Sequence, residues 1–408
     1  MLSQQANHKK QVARITLLCA FLYFVSYVTR NNYSAIISEI VTSTGLTKSA
    51  LSMALTGSFI TYGFSQIISG YLGDKIQPRT LISAGMLITS SMNLLIPLCT
   101  DSIQMTVVWC INGFSQAFMW PPIVKLMYSQ MSVEEYDQGC VVVSRGSFLG
   151  NITVYLLAPL LILLLSWHSV FYFSASMGIL GLVLCWKLCP KISLAPVSNQ
   201  PIPQAKEKAP NAILLLVFVI LSIIMNGILR DGVTTWMPSY ISETYGLRNE
   251  LSILSGTALP IFSILCHAIT YYLYRTKLRN PFTCTAVLYG TSTAIAQLMY
   301  IFYDQNALLS IVFCTLLTGG MHGVNLILIG ILPPYFSRSG NVSTFSGLLN
   351  ACIYVGSALS AYIVPATTEW AGWDASLLLW VGFCLLGTIL CVLCIRNWKM
   401  LKAIRNII

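Results

Sequence analysis

The sequence predicts an all-α, polytopic membrane protein with twelve transmembrane helices in two pseudo-symmetric halves of six. Three observations support this fold class. The chain of 408 residues is 56% hydrophobic and only 9% charged, whereas soluble domains carry about 25% charged residues. Its apolar runs are continuous rather than alternating, which excludes a transmembrane barrel and leaves helices. A proline-rich polar stretch divides these runs six and six.

At about 20 residues per crossing, the apolar runs predict twelve membrane segments. They cover about residues 15–38, 51–72, 80–99, 104–128, 139–165, 167–188, 212–241, 251–273, 281–303, 307–330, 341–366 and 373–395. The fifth and sixth segments, like the last two, follow each other so closely that short turns are expected between them.

The polar stretch covers residues 189–211 and contains five prolines. Such a composition predicts an extended or flexible cytoplasmic linker. The flanking parts, 1–188 and 212–408, are predicted as two six-helix bundles. Two such bundles joined by a long inner loop are typical of parallel repeats about an axis normal to the membrane.

The net charge is +10, and the distribution of the basic residues along the chain follows the positive-inside rule. Placing the N-terminus in the cytoplasm puts nearly all loop lysines and arginines on that side and leaves Lys48 and Arg248 outside. This distribution predicts that both termini are cytoplasmic, and it argues against a nucleic-acid partner. The first apolar segment is too long for a cleavable signal and contains Arg30, so we expect a multi-pass protein of the plasma or inner membrane.

The sequence predicts no enzymatic activity, no cofactor and no metal. It has no G-x-x-x-x-G-K-[ST] nucleotide loop and no H-E-x-x-H zinc motif. Its thirteen cysteines lie mainly in apolar segments, and the C-x-x-C pair of Cys391 and Cys394 has no partnering histidines. Gradient-driven transport requires none of these groups.

Two arginines occupy matching places in the first apolar segment of each half, Arg30 in FLYFVSYVTRNNYSAI and Arg230 in ILSIIMNGILRDGVTTWMPSYI. A charge at membrane depth costs several kcal/mol. A guanidinium matches phosphate or carboxylate oxygens in bidentate fashion, so the pair predicts a central anion site. The alternative is that Arg30 bonds helix carbonyls or bridges two helices.

Other polar residues accompany the arginines. Tyr23, Tyr27 and Arg30 are spaced four and three apart and therefore share one helical face, which predicts a polar stripe facing a cavity. His322 and Asn325 are three apart in the tenth segment. They would either line the cavity or form a hydrogen bond between helices.

Asp231, directly after Arg230, is the one acid predicted within the membrane core. Successive helical residues point about 100° apart, so the two need not pair. Three roles remain open for Asp231: proton coupling, a partner for an arginine in the empty site, or a structural contact with another helix.

The loop GYLGDKIQPR, Gly70 to Arg79, resembles the G-x-L-x-D-[RK]-x-x-x-R loop of the major facilitator superfamily. Asp74 lies at the cytoplasmic end of the second segment, where it can pair with a base or cap a facing helix N-terminus. We predict that Asp74 and Arg79 form a conformational latch and are not substrate ligands.

More closely, the chain resembles the organophosphate:phosphate antiporter family of that superfamily, which includes glycerol-3-phosphate and hexose-phosphate transporters. The residues that carry the resemblance are Tyr23, Tyr27 and Arg30, the run NGFSQAFMWPP with Trp120, Arg230 in LRDGVTTWMPSYI, and Tyr354. The resemblance implies the major facilitator fold, and no loop other than the linker is long enough to hold a separate folded domain. It also implies that the two arginines clamp a phosphate, with Trp120 and Tyr354 among the site residues.

Departures from the family pattern imply a changed specificity. Phe148 stands where glycerol-phosphate members carry a histidine, and Gln66 stands where they carry a lysine. Thr235 replaces their acid in the seventh segment.

The leading hypothesis is a monomeric transporter, surrounded by lipid, that moves a phosphorylated or other anionic small organic solute in exchange for inorganic phosphate. Two guanidiniums without counter-ions would repel in the empty carrier, so the loaded carrier would reorient more easily. The alternatives are a proton-coupled organic-anion transporter that uses Asp231, and a transporter-like sugar-phosphate sensor. An arginine locked against a permanent acidic neighbour would argue against a carried oxyanion.

Overall fold

The computed structural model describes residues 2–193, 210–246, 258–336 and 341–405. All regular secondary structure in these ranges is helical, which confirms the all-α prediction. The helices α1 to α14 are, in order, Leu2–Ala35, Ile37–Thr44, Lys48–Lys75, Pro78–Leu95, Ser102–Gln116, Trp120–Gln130, Val133–Leu164, Trp167–Leu188, Pro210–Tyr245, Ala258–Thr276, Pro281–Ile301, Ala307–Asn325, Pro333–Phe336 and Val342–Arg405.

Eight stretches of the described chain are long and apolar enough to cross a membrane. They are Asn7–Ala35, Pro78–Leu98, Val133–Leu164, Trp167–Leu188, Ile213–Met237, Ala307–Ile331, Val342–Val364 and Ala366–Arg396. The other four predicted segments coincide with α3, with α5 and α6, with α10 and with α11. The beginning of the predicted segment 251–273 lies outside the described residues.

The fourth predicted segment, 104–128, is wrong as a single helix. Helix α5 ends at Gln116 and α6 begins at Trp120. Pro121 and Pro122 form the start of α6, and proline has no N–H to donate and clashes with the preceding helical turn. The backbone N–H groups of residues 117–119 instead each donate to the carbonyl oxygen three residues earlier, as in a 3-10 helix.

Irregular turns also mark the tenth segment and the junction of the last two. After Asn325, α12 passes into a π-helical stretch, Leu326–Ile331, before Pro333 begins α13. The last two predicted segments are two helices that meet at a non-helical break at Gly372 (φ 84°, ψ 179°), and the label α14 covers both of them. This positive-φ conformation favours glycine, and the break falls where a short turn between the two segments is expected.

The chain divides into two compact units. Unit 1 consists of Met1–Ser198 with Pro333–Ala351, and unit 2 of Asn199–Leu332 with Cys352–Ile408. Most of the predicted linker 189–211 lies outside the described residues, and the predicted boundaries of the two bundles stay a prediction.

Unit 1 packs α1 closely against α7. A side chain at Gly150 would bring its Cβ to 2.7 Å from the carbonyl oxygen of Phe24, and one at Gly146 would collide with Ala20. Small residues at such places let helix backbones approach closely in membrane proteins. Elsewhere in the unit, the rings of Tyr33 and Trp109 pack at a tilt of 31° with their centroids 5.0 Å apart.

Unit 2 brings α9 and α14 together by the same device. A Cβ on Gly227 would lie 3.2 Å from the Cα of Gly356, and one on Gly356 would lie 3.0 Å from the Cα of Gly227. The backbones therefore touch one turn before Arg230, which sets the distance between α9 and α14 at that arginine.

Candidate functional site

A buried hydrogen-bond network fixes the rotation of α1. Asn32 donates to Asn93 Oδ1 (2.6 Å) and to Ser174 Oγ (2.9 Å), and Gln116 donates to Thr29 Oγ1 (2.9 Å). All five side chains are buried. These hydrogen bonds direct one face of α1 toward α4, α5 and α8. Tyr23, Tyr27 and Arg30 therefore lie on a different face of the helix.

Tyr23, Tyr27 and Arg30 lie together as their spacing predicts, each only partly buried. The Cζ atom of Arg30 lies 4.3 Å from the ring centroid of Tyr27 and 4.8 Å from that of Tyr62 on α3. The rings of Tyr23 and Tyr27 meet edge to face at 5.2 Å. We call these four residues the Arg30 cluster, in which cation–π contacts stabilise the charge.

Tyr62 is a member of this cluster that the sequence analysis missed. Its only signal is its place one turn before Gln66 on the same face of α3. Tyrosine is common in membrane helices, so this spacing alone did not distinguish it.

Three further predicted residues of unit 1 are buried. Trp120 packs its ring 5.1 Å from that of Tyr23, and its indole N–H has no hydrogen-bond partner among the described residues. Gln66 is fully buried, with both amide atoms unpartnered within the described chain. Phe148 on α7 is buried as well. A buried polar group without a partner costs about 1–3 kcal/mol, so Gln66 and Trp120 are suited to receive polar ligand atoms.

Arg230 in unit 2 pairs with its neighbour Asp231. Its Nε donates to Asp231 Oδ1 (2.6 Å) and its Nη2 to Oδ2 (2.8 Å), and the two side chains are 14% and 31% exposed. The expectation that both guanidiniums lack a counter-ion is therefore wrong for Arg230. The 100° between successive helix positions is bridged because the arginine side chain is long, and little water competes for the ion pair.

Two more helices hold this ion pair. Ser357 on α14 donates to Asp231 Oδ2 and to the carbonyl oxygen of Ile353 (3.0 Å). On α12, Asn325 Oδ1 accepts from Arg230 Nη1 (3.2 Å). We call Arg230, Asp231, Asn325 and Ser357 the Arg230 cluster. Asn325 thus makes the hydrogen bond between helices that was one of its two alternatives.

The remaining predicted residues of unit 2 lie near this cluster in sequence. Tyr354, partly buried, is three residues before Ser357 on α14 and so shares its face. His322, also partly buried, accepts through its backbone carbonyl a hydrogen bond from His267 Nε2 on α10 (2.9 Å). His267 and Ser357 were missed, since a single polar residue in an apolar helix has no distinguishing pattern.

Asp74 caps the beginning of α14 within unit 1. Its carboxylate accepts from the backbone N–H groups of Ser343 (3.1 Å) and Thr344 (2.8 Å) and from Thr344 Oγ1 (2.7 Å). Lys125 on α6 completes the contact, with Nζ 3.2 Å from Asp74 Oδ1 and both side chains nearly buried. Asp74 therefore makes both kinds of contact expected of it, with a base and with a helix N-terminus.

Arg79, predicted to act with Asp74, lies elsewhere. Its Cζ atom is 4.3 Å from the ring centroid of Trp186 on α8. Among the described residues, the base that reaches Asp74 is Lys125, because α6 brings that side chain to the end of α3 while Arg79 follows the turn into α4. The base expected beside Asp74 is thus Lys125, and the role of Asp74 and Arg79 as a conformational latch stays a prediction.

A cavity of about 370 Å³ opens in unit 1 beside the ends of α1 and α7. Its lining is mostly apolar and includes Glu39, Tyr155 and Pro159. None of the predicted site residues lines it.

Within the described residues, no three histidine, cysteine or acidic side chains are grouped so as to hold a metal ion. Cys391 and Cys394 are free and buried.

Comparison with known proteins adds family information. The family model of the Major Facilitator Superfamily matches residues 19–343. The glycerol-3-phosphate transporter of Bacillus subtilis is 26% identical over 404 residues, covering 89% of this chain and 87% of the relative. The membrane sensor protein UhpC of Salmonella typhimurium is 24% identical, covering 88% and 87%. A probable hexose phosphate transport protein of Chlamydia muridarum is 25% identical over 47% of this chain and 41% of the relative.

Solved structures agree with the chain in fold. The Escherichia coli fucose:proton symporter FucP matches with a TM-score of 0.73 at 11% identity, over 93% of this chain and 98% of the symporter. The human organic anion transporter MFSD10 matches with a TM-score of 0.75 at 12% identity, over 93% and 99%. The predicted major facilitator fold is confirmed.

Proposed function

The chain belongs to the major facilitator superfamily and is a multi-pass membrane transporter rather than an enzyme, and we propose that it carries a phosphorylated small organic anion. The Arg30 cluster is the observation that carries this proposal. A guanidinium at membrane depth, only partly buried and stacked by two tyrosine rings, is a device for binding an oxyanion. Relatives of this chain named for glycerol 3-phosphate and hexose phosphate support a phosphorylated solute.

The geometry around Arg30 suits a planar, two-point contact with an oxyanion such as a phosphoryl group. Ring contacts use the face of a guanidinium, while its N–H donors lie in the guanidinium plane and are directed at oxygens there. In our proposal the phenol hydroxyls of Tyr23 and Tyr27 donate to the remaining phosphoryl oxygens. Gln66 and Trp120 then contact the organic part of the solute, since their buried polar atoms have no partner in the part of the chain that the structure describes.

Arg230 supports the proposed anion site only if its pairing with Asp231 can be broken. In this structure its Nε and Nη2 atoms are bonded to Asp231, so the proposal does not rest on it. We propose that Arg230 binds the phosphoryl group when Asp231 gives up those atoms. Tyr354, His322 and Phe148 remain proposed site residues, by position in the sequence.

The transport cycle we propose is exchange with inorganic phosphate by alternating access. The contact of Asp74 and Lys125 with α14 stabilises one state of that cycle. We further propose that the carrier acts as a monomer in the plasma or inner membrane with both termini in the cytoplasm, and that residues 1–188 and 212–408 are its two bundles.

A ligand-stabilisation screen tests the substrate class. Purified protein in detergent is heated with phosphorylated sugars and polyols, with their unphosphorylated parents, and with matched carboxylates. A ligand at 100 times its Kd should add about 2.7 kcal/mol of stability, so phosphorylated solutes should raise the melting temperature and their parents should not. Equal stabilisation by parents and phosphates would exclude phosphate recognition.

A second candidate is a proton-coupled organic-anion carrier with Asp231 as the titrating group. The observation that favours it is the partly buried Asp231 carboxylate bonded to Arg230 and Ser357, since protonation would release the arginine. Uptake that needs no internal phosphate and stops when the proton gradient is dissipated identifies this mode.

A sensor is the third candidate, because one relative covering most of the chain is named a membrane sensor. Ligand stabilisation without any flux into vesicles identifies it.

A further inference from the structure

One edge of the Arg230 guanidinium is occupied by a carboxylate from its own helix. The Nε and Nη2 atoms donate to the two oxygens of Asp231 at 2.6 and 2.8 Å. A carboxylate or phosphate ligand of arginine adopts the same two-point arrangement. Asp231 therefore stands where the oxygens of a substrate anion would stand.

We propose that Asp231 is an internal competitor of the transported anion for Arg230, and thereby a residue that sets affinity and release. The substrate takes the Nε/Nη2 edge only when Asp231 leaves it, and Asp231 returns when the substrate departs. The inference rests on the proposed function, since it requires that Arg230 binds the transported oxyanion.

Ser357 is the residue that makes this exchange possible. It already donates to Asp231 Oδ2 from α14, so the displaced carboxylate keeps a hydrogen-bond donor. A buried carboxylate without a donor is costly, and removal of the Ser357 hydroxyl should therefore hold Asp231 more firmly on Arg230.

Asn325 keeps the guanidinium in place during the exchange. Its Oδ1 accepts from Nη1, on the side away from Asp231 (3.2 Å). Arg230 thus retains a partner on α12 while its Nε/Nη2 edge changes from one anion to another. The close packing of Gly227 against Gly356 keeps α9 and α14 near enough for Asp231 to reach Ser357.

The competition has two measurable consequences. If the Nε/Nη2 edge of Arg230 is open for only a fraction of the time, the apparent Kd of the anion equals its intrinsic Kd divided by that fraction. Removing the competitor should therefore tighten anion binding. It should also slow release, because the returning carboxylate no longer displaces the substrate. Affinity and maximal rate should therefore change in opposite directions.

The test uses the full-length protein and inorganic phosphate as the probe. Phosphate binding is measured by calorimetry in detergent, and phosphate–phosphate exchange is measured in vesicles. The variants are Asp231→Asn, which keeps shape and the Ser357 contact but not the charge, Ser357→Ala, and the double variant. Glu243→Gln is the matched control, since it removes one negative charge from α9 at a residue bonded to Trp373 Nε1 (2.8 Å), more than three turns from Arg230.

Asp231→Asn should bind phosphate about tenfold more tightly and exchange it several-fold more slowly at saturation, whereas Glu243→Gln should match the wild type. Ser357→Ala should weaken binding about threefold, and this effect should vanish in the double variant. A purely structural contact would instead give weaker binding in every variant. If Asp231→Asn does not fold, the two measurements on Ser357→Ala decide together. Weaker binding with faster exchange at saturation supports the competitor, whereas unchanged affinity, or weaker binding with slower exchange, overturns it.

Arg230→Lys separates the two levels of the argument. If it leaves phosphate affinity unchanged, Arg230 is not an anion ligand, and that part of the proposed function fails together with the competitor. If Arg230→Lys weakens binding while Asp231→Asn does not strengthen it, the proposed ligand stands and the competitor is overturned.

Discussion

Asp74 on α3 and Thr344 at the start of α14 are joined by two hydrogen bonds to a single carboxylate oxygen. The Thr344 backbone N–H and hydroxyl lie 2.8 and 2.7 Å from Asp74 Oδ2. The carboxylate thus acts as an N-cap that α3 supplies to α14, and its charge is favourable at the positive end of the helix dipole. A loop motif far away in sequence thereby controls where the eleventh segment begins.

Replacing Asp74 with Asn should lower stability and slow transport. The amide keeps the size of the side chain but has a single acceptor oxygen and no charge, so the cap weakens by about 1–2 kcal/mol. Thermal unfolding in detergent measures the loss. Asp304→Asn, at an exposed position, is the control and should leave the melting temperature unchanged. Equal melting temperatures for both variants would mean that Asp74 does not hold α14.

Replacing Lys125 with Met should lower the stability of the protein far more than replacing an ordinary cytoplasmic lysine. Lys125 and Asp74 are 9% and 8% exposed, and removing one partner of a buried ion pair costs about 3 kcal/mol or more. Lys75→Met, at an exposed lysine next to the same aspartate, should cost little. Urea or thermal unfolding of both variants compares them, and a larger loss for the Lys75 variant contradicts the assignment of Lys125 as the partner.

The α1–α7 contact predicts opposite outcomes for two glycine-to-alanine changes. A Cβ at Gly150 meets the Phe24 carbonyl oxygen at 2.7 Å, whereas nothing lies within 4 Å of one at Gly382 on α14. Gly150→Ala should destabilise the protein by about 1–3 kcal/mol. Gly382→Ala should be neutral or stabilising by up to about 1 kcal/mol, because alanine is the better helix former. Melting temperatures that move together would refute the close approach of α1 and α7.

Tyr62 should contribute to the site through its ring. Its centroid lies 4.8 Å from Arg30 Cζ, so Tyr62→Leu should weaken anion binding about three- to tenfold by removing a cation–π contact of about 0.5–1 kcal/mol or more. Tyr62→Phe keeps the ring and should stay within about twofold of the wild type. Calorimetric titration with the best ligand of the screen compares the two. Loss of binding in the Phe variant would assign the contribution to the hydroxyl instead.

Helix spacing and membrane energetics predicted much of the fold and of the first cluster. Apolar run lengths located the helices, and four-and-three spacing placed Tyr23, Tyr27 and Arg30 on one face, where the structure has them. Asp74 was located by its loop motif. The helices and the shared face of Tyr23, Tyr27 and Arg30 follow from the period of the helix and from the cost of burying charge, both of which are visible in a single sequence, whereas Asp74 was found through the resemblance of its loop to a family motif.

What the sequence could not show depends on side-chain reach and on partners distant in the chain. Successive helical residues point about 100° apart, so the sequence did not require Arg230 to pair with Asp231. The arginine side chain is nevertheless long enough to reach the carboxylate. In the sequence, Lys125 was one of many basic residues assigned to the cytoplasmic side, and no pattern indicated that it pairs with Asp74. Ser357 became visible only once α9 and α14 were seen to touch.

Exchange catalysed by the Arg30→Lys variant is the most direct measurement of the central claim, that the Arg30 guanidinium binds the transported oxyanion. Vesicles loaded with phosphate would be assayed for uptake of a labelled sugar or polyol phosphate, with Arg145→Lys at an exposed position of α7 as the matched control. Lysine keeps the charge but loses the planar, two-point geometry. The account predicts that Arg30→Lys reduces uptake at least tenfold while Arg145→Lys retains it. Uptake by Arg30→Lys at the wild-type rate would contradict the claim.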